Sequence, residues 1–216
     1  MRYIGLIDDR EVTRTSLKLS ILIPLIAKGK EEQEWDIIDI EPFKDISDYV
    51  TWISENEISI LIIDEKLNES TLVNYLGHNV VILLRDAFPE LPIFCITAAK
   101  REPDLDENYE YYNFILSKND FQERRDEFVN LFIKSGEDFY RKYTEKKDRL
   151  SELAGLMAKE NGEVSDKIKS EADDIRDFLM LTHKVDNSTS EAWLEEFSLK
   201  VKNFEEILEK INSDLK

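Results

Sequence analysis

The chain is short of the residues that several functional classes require. Its 216 residues include one cysteine, Cys95, which excludes an internal disulfide and fits a reducing compartment. Cys95 lies within an apolar strand pattern and reads as a core thiol. The two histidines, His78 and His183, are too few and too far apart in sequence for a histidine-based metal site. The longest apolar run, Ile21 to Ala27, falls far short of the roughly 20 residues that span a bilayer. The start, MRYIGLIDDR, lacks a cationic stretch followed by a long apolar core, so no secretory signal is read there. These absences predict a cytoplasmic protein without a membrane partner. Positive charge is also scarce: 29 Lys and Arg stand against 47 Asp and Glu, for a net charge of -18. A DNA-binding surface needs concentrated basic charge to release counterions from phosphates. The densest basic stretch, Arg141 to Arg149, is interrupted by Glu145 and Asp148 and reads as a solvated helix face. No direct nucleic-acid partner is expected. No glycine-rich nucleotide loop, internal repeat or low-complexity segment occurs.

What the chain does have is a series of short apolar runs that end in polar residues. Ile60 to Ile63 run straight into Asp64. A short, unbroken β-branched run reads as a strand covered on both faces, as in a parallel sheet. Arg2 to Asp9 is a similar strand that ends in two acids. Trp35 to Phe43 is another, stopped by Pro42. Leu91 to Thr97 is a fourth and Asn113 to Lys118 a fifth. Helical stretches separate them. Arg10 to Gly29 contains Pro24, which is expected to end or kink that helix. Asp45 to Asn56 is expected to form about three turns capped by Asp45. A weaker helical pattern covers Leu72 to Phe88. The interval from Ala99 to Tyr112 is acidic, contains Pro103 and predicts a short or irregular helix. Tyr111, Tyr112 and Phe114 read as packing for the fifth strand and its approach. Strands alternating with helices indicate an α/β fold with a parallel sheet and helices on both faces.

From Asn119 onward the pattern is helical. Phe121, Phe128 and Phe132 stand at helical spacing, with Asp120 as the expected cap, and the pattern continues to Met157. Asn161-Gly162 is a helix stop. Val164, Ile168, Ile175 and Phe178 mark a second helix. Ser188 with Glu191 makes a capping-box signature for a third. That third helix carries Leu194, Phe197, Val201, Phe204, Leu208, Ile211 and Leu215 at alternating spacings of three and four, a heptad stripe. The stripe either packs against the other tail helices or forms a seam for a second copy or another protein.

In an open α/β sheet, ligands bind outside the carboxyl ends of the strands. An acid there is alone no evidence of a site, since Asp is common where a strand gives way to a loop. Here Asp8 and Asp9, Asp64, Thr97 and Lys118 each stand at a strand end. If the strands lie side by side, three carboxylates, a hydroxyl and an amine meet at one edge. Two like charges about 4 Å apart at an effective dielectric of about 20 repel by about 4 kcal/mol. The acids must therefore share a proton, pair with Lys118 or bind a cation. An all-oxygen set suits Mg²⁺. Aspartate can also act as a nucleophile toward phosphorus.

Over about Met1 to Lys134, these positions, with NVVILLRDAFPELPIFCITA (Asn79 to Ala98), closely resemble the receiver domain of two-component response regulators. The resemblance implies a flavodoxin-like, doubly wound sheet of order 2-1-3-4-5. It implies that Asp64 is the phosphoacceptor, that Asp8, Asp9 and Asp64 hold Mg²⁺, and that Thr97 and Lys118 bind the phosphoryl oxygens. A sensor histidine kinase or a phosphotransfer protein would be the donor. The chain departs from the family where Asn119 follows Lys118 instead of proline. It departs again where Ile115 takes the aromatic switch position, with Phe114 one earlier, and where LNES lacks the usual proline. His183 lacks the following lysine and glycine of a phosphotransfer histidine and reads as a surface or helix-end residue.

The expected organisation is a receiver-like domain over 1–135 and a helical interaction module over 136–216, the latter binding an effector or a second copy. The leading functional reading is a signalling protein phosphorylated on Asp64. Its enzymatic activity would be limited to its own phosphorylation from a donor and its own dephosphorylation. The alternatives are a degenerate receiver acting as a phosphorylation-independent adaptor, and a phosphatase-like enzyme, for which no substrate-enclosing cap is evident.

Overall fold

The computed structural model describes residues 2–27, 35–98, 105, 107–159 and 166–181. Five strands, β1 (Arg2–Ile7), β2 (Trp35–Ile40), β3 (Ile58–Ile63), β4 (Ile93–Thr97) and β5 (Phe114–Ser117), form one sheet in the order β2-β1-β3-β4-β5. All four pairings are parallel. This is the flavodoxin-like arrangement, and β1 and β3 flank the point where the chain reverses its direction across the sheet. Helices α1 (Glu11–Ala27), α2 (Asp48–Glu55) and α3 (Gly77–Ala87) connect the first four strands. A 3-10 turn (Tyr109–Tyr111) precedes β5. After β5 come the short α4 (Lys118–Glu123), the long α5 (Arg125–Lys159) and α6 (Asp166–Leu181). Among the described residues no helix is long and apolar enough to cross a membrane.

The sheet separates two apolar layers because strand side chains alternate between its faces. Every residue of β3 is buried. Ile60 and Ile62 join Leu17, Ile21 and Leu25 of α1 and Phe128, Val129 and Phe132 of α5. Leu61 and Ile63 join Trp52 and Ile53 of α2 and Val80 and Leu84 of α3. The stripe read as Phe121, Phe128 and Phe132 is thus the inner face of α4 and α5, and Phe132 packs on Phe94 at 4.5 Å between ring centroids.

Several boundaries differ from expectation. Helix α1 runs through Pro24 to Ala27. Only one turn follows the proline, and burial of Pro24 and Leu25 against the sheet offsets the missing hydrogen bond. Helix α2 has eight residues and starts at Asp48, after Ser47. Asp45 instead closes a turn ahead of it, its Oδ1 accepting from Ser47 N at 2.9 Å and Ser47 Oγ at 2.7 Å. The cap of α4 is Ser117, whose hydroxyl accepts from Asp120 N at 2.9 Å, so Asp120 lies in the first turn. Helix α3 begins at Gly77, not near Leu72, because the residues between β3 and α3 are committed to the site described below.

The approach to β5 is held by Arg85 of α3. Its guanidinium donates to Tyr111 O (2.7 Å), Leu91 O (2.6 Å), Pro89 O (3.2 Å) and Asn113 Oδ1 (3.0 Å). Burial lowers the Arg85 guanidinium to about 10. Ile115, at the expected aromatic position, is buried, while Phe114 is partly exposed and lies against Phe128.

The chain divides into two compact units, the first containing Met1–Lys142 and the second containing Tyr143–Met180. The first unit extends past residue 135 because α5 continues across the sheet. Gly136 lies against Ile60 and Trp35, and Phe139 packs on the core. In the second unit Leu153 and Ala172 are buried, and Arg149 pairs with Glu171 at 2.8 Å. That exposed pair contributes little to stability. The interval 99–104 with residue 106, the Asn161-Gly162 stop, His183, the Ser188 and Glu191 cap and the heptad stripe from Leu194 to Leu215 lie outside the described residues.

Candidate functional site

The sheet places the polar residues together because its parallel strands all end at the same edge. Asp8 and Asp9 follow β1, Asp64 follows β3, Thr97 closes β4, and Lys118 follows β5 as the first residue of α4. In the sheet register Thr97 faces Ser117, one residue before Lys118. Asp8, Asp9, Asp64 and Thr97 are all buried.

Lys118 links two of the acids. Its Nζ donates to Asp64 Oδ2 at 2.6 Å and to Asp8 Oδ2 at 3.1 Å. Burial alone would lower the amine, but the charges and hydrogen bonds of Asp64 and Asp8 outweigh it and hold Lys118 above its ordinary value. Asp8 moves the other way: burial pushes it up to about 6, against the Arg10 N–H bond and Lys118, with Asp64 adding to the rise. Asp8 Oδ1 accepts from Arg10 N at 2.9 Å, and Arg14 donates to Asp8 O at 2.7 Å. Arg14 is fixed in turn by Asp39 of β2, which also pairs with Lys18.

Asp9 is held on one side only. Its Oδ2 accepts from Ser70 N at 2.6 Å, while its buried Oδ1 has no hydrogen-bond partner. Arg10 approaches that oxygen to 4.0 Å. A buried carboxylate oxygen without a donor fits coordination of a cation, because leaving it unsatisfied is costly. Among the described residues no group of three or more His, Cys, Asp or Glu stands ready to hold a metal. The Lys118 ammonium bridges Asp8 and Asp64.

The loop after Asp64 is tied to the site. Thr71 has φ 62°, a left-handed conformation that a β-branched residue rarely adopts. Its neighbour Ser70 supplies the bond to Asp9. The loop returns at Gly77, whose N–H donates to Glu65 O at 2.8 Å. A Cβ at Gly77 would overlap the carbonyl oxygen of Asp64 and meet Glu65 Cα at 3.0 Å. We therefore expect Gly77→Ala to displace Asp64 and cost about 1–3 kcal/mol through overpacking. Chemical denaturation checks the cost. Loss of any Mg²⁺-dependent fluorescence change checks the displacement.

Sequence reasoning missed three polar residues beside this site. Glu65, directly after Asp64, is 1% exposed. Its Oε1 lies 2.5 Å from His78 Nδ1, and its Oε2 accepts from His78 N and Tyr112 Oη, both at 3.0 Å. Burial, and then the negative surroundings including Glu65, raise the Tyr112 hydroxyl and keep it a donor. A second acid directly after the strand-end aspartate was the one available signal. Nothing in the sequence paired it with residues 13 and 47 positions away.

No family model and no curated protein matches the chain. Solved structures resemble it at low identity. A response regulator receiver domain protein from Clostridium thermocellum is 16% identical, with a TM-score of 0.45, covering 62% of this chain and 95% of that one. The response regulator TrrA of Thermotoga maritima, in complex with Mg²⁺ and BeF, is 18% identical, with a TM-score of 0.44 and coverage of 61% and 99%. A beryllofluoride-activated NtrC4 receiver domain dimer is 17% identical, with a TM-score of 0.43 and coverage of 64% and 99%. The strand order and its helical crossovers give the first unit the flavodoxin-like fold that response-regulator receiver domains also have.

Proposed function

We propose that the chain is a signalling protein that accepts a phosphoryl group on Asp64 and passes the change on through protein contacts of its helical tail. One observation carries the reading: Lys118 joins Asp64 to Asp8 while a buried Asp9 oxygen beside them lacks a donor. Such a cluster has room for added positive charge and a lysine already in contact with the acid to be modified.

Asp64 Oδ2 is held by Lys118, and Oδ1 receives a long 3.4 Å contact from Lys66 N. The less constrained Oδ1 is the nucleophile in this reading. It attacks the phosphorus of a phosphohistidine on a sensor kinase or phosphotransfer protein, or of a small acyl phosphate. The P–N or P–O bond to the donor breaks, and the donor leaves with the electron pair. Lys118 then moves from the carboxylate to the new phosphoryl oxygens, and Thr97 offers its hydroxyl to them. Asp8, Asp9 and Asp64 would hold Mg²⁺, which supplies neutralising charge when bound. Lys118, already held by Asp64 and Asp8, is the amine within reach of a phosphoryl group on Asp64. The enzymatic part is confined to the chain's own phosphorylation and dephosphorylation.

The test is a Mg²⁺ titration followed by tryptophan and tyrosine fluorescence, with partner capture by wild type and Asp64→Asn. We expect a saturable Mg²⁺ response and donor-dependent partner binding that Asp64→Asn loses. Equal partner binding by both proteins, with no Mg²⁺ response, supports instead the adaptor that works without phosphate.

A further inference from the structure

Asp64 and Glu65 are consecutive, and each grips one flank of β5. Lys118, after the strand, holds Asp64 at 2.6 Å; Tyr112, before it, holds Glu65 at 3.0 Å. Glu65 also takes the first turn of α3, through His78 N, His78 Nδ1 and, by its own carbonyl, Gly77 N. We propose that Glu65 is a positioning residue that transmits a change of charge at Asp64 to the start of α3 and the residues leading into β5. The proposal rests on the reading of Asp64 as phosphoacceptor.

The physical case is one of competing tethers. A phosphoryl group replaces the single negative charge of the Asp64 carboxylate with up to about two, one residue from a carboxylate that is itself buried. Its pull on Lys118 acts on the end of β5. The backbone around Tyr112 is pinned separately by Arg85 on Tyr111 O and Asn113 Oδ1. The Tyr112–Glu65 and His78–Glu65 contacts are therefore where the two sets of restraints meet. A two-state element that both sites bias is what a transmission route requires. Position 115, where an aromatic would swing, holds Ile115, a packed aliphatic residue.

The experiment is hydrogen exchange on the full chain, with and without Mg²⁺ and beryllofluoride, read on peptides covering 77–81 and 107–113. Wild type is expected to change its exchange rate there by about tenfold. Tyr112→Phe is expected to bind beryllofluoride within about twofold of wild type, yet to respond by less than about twofold at 107–113. Glu65→Gln, which keeps the shape and removes the charge, is expected to lose the response in both peptides, and it decides the matter if Tyr112→Phe does not fold. A wild type that binds beryllofluoride without any response in either peptide overturns the proposal. So do variants that respond as wild type does. A wild type that binds no beryllofluoride overturns the phosphoacceptor reading, and this inference with it.

Discussion

Replacing Asp8 with Asn stabilises the folded chain at pH 7 by on the order of 2 kcal/mol. Asp8 is fully buried, and burial raises its carboxyl from 3.8 to about 6. Between those values the folded state binds the proton more tightly than the unfolded state does. Stability therefore falls as pH rises through that window, and above about 6 the full cost of ionising Asp8 is present. Two pH units at about 1.4 kcal/mol each set an upper bound of about 3 kcal/mol, a value that already includes the opposing pull of Lys118. Urea denaturation of wild type and Asp8→Asn at several pH values checks this. The gain is absent below about pH 4 and complete above about pH 6. On the proposed metal reading, added Mg²⁺ is expected to stabilise wild type more than Asp8→Asn. Equal midpoints at pH 7, or a gain that grows toward acid, contradict the assignment of Asp8.

The second large effect lies away from the acids. Gly136→Ala destabilises the first unit by about 2 kcal/mol, even though alanine is favoured over glycine in a helix by about 1 kcal/mol. A Cβ there would stand 2.5 Å from Trp35 Cη2 and 2.5 Å from Ile60 Cγ1. Both side chains are fully buried, so neither can turn aside without displacing its neighbours. Gly136 is thus a point where α5 comes close to Trp35 of β2 and Ile60 of β3. Gly155, farther along the same helix, has open space at its Cβ, so Gly155→Ala is the control and is expected to be neutral or slightly stabilising. Thermal melts of the two variants separate close packing from helix propensity.

The strands and the polar residues that end them were legible because each rests on a short-range signal. Apolar runs such as Ile60 to Ile63 end abruptly in a polar residue, and parallel pairing then brings those ends to one edge. Asp8, Asp9, Asp64, Thr97 and Lys118 accordingly stand where the sequence put them. The helix starts were less legible, since caps depend on which side chain turns back to the backbone. Ser117 took that role ahead of Asp120, and Asp45 closed a separate turn before α2. Residues 72–76 looked helical because apolar spacing does not register that Ser70 is committed to Asp9 and Gly77 to Glu65. Glu65, His78 and Tyr112 were hidden for a different reason. Their contacts join three elements distant in sequence, and each residue alone has an ordinary reading as a loop acid, a lone histidine or a packing aromatic. Gly136 stands within that helical pattern, and only the sheet beneath it reveals its role.

The most direct test of the central claim is the intact mass of the full chain after incubation with Mg²⁺ and acetyl phosphate. Wild type is expected to gain a single phosphoryl group that is lost on alkaline treatment, as an acyl phosphate is, and that requires Mg²⁺. Asp64→Asn is expected to gain none. A wild type that stays unmodified with acetyl phosphate and with a phosphohistidine donor contradicts the account, as does an Asp64→Asn protein modified to the same extent.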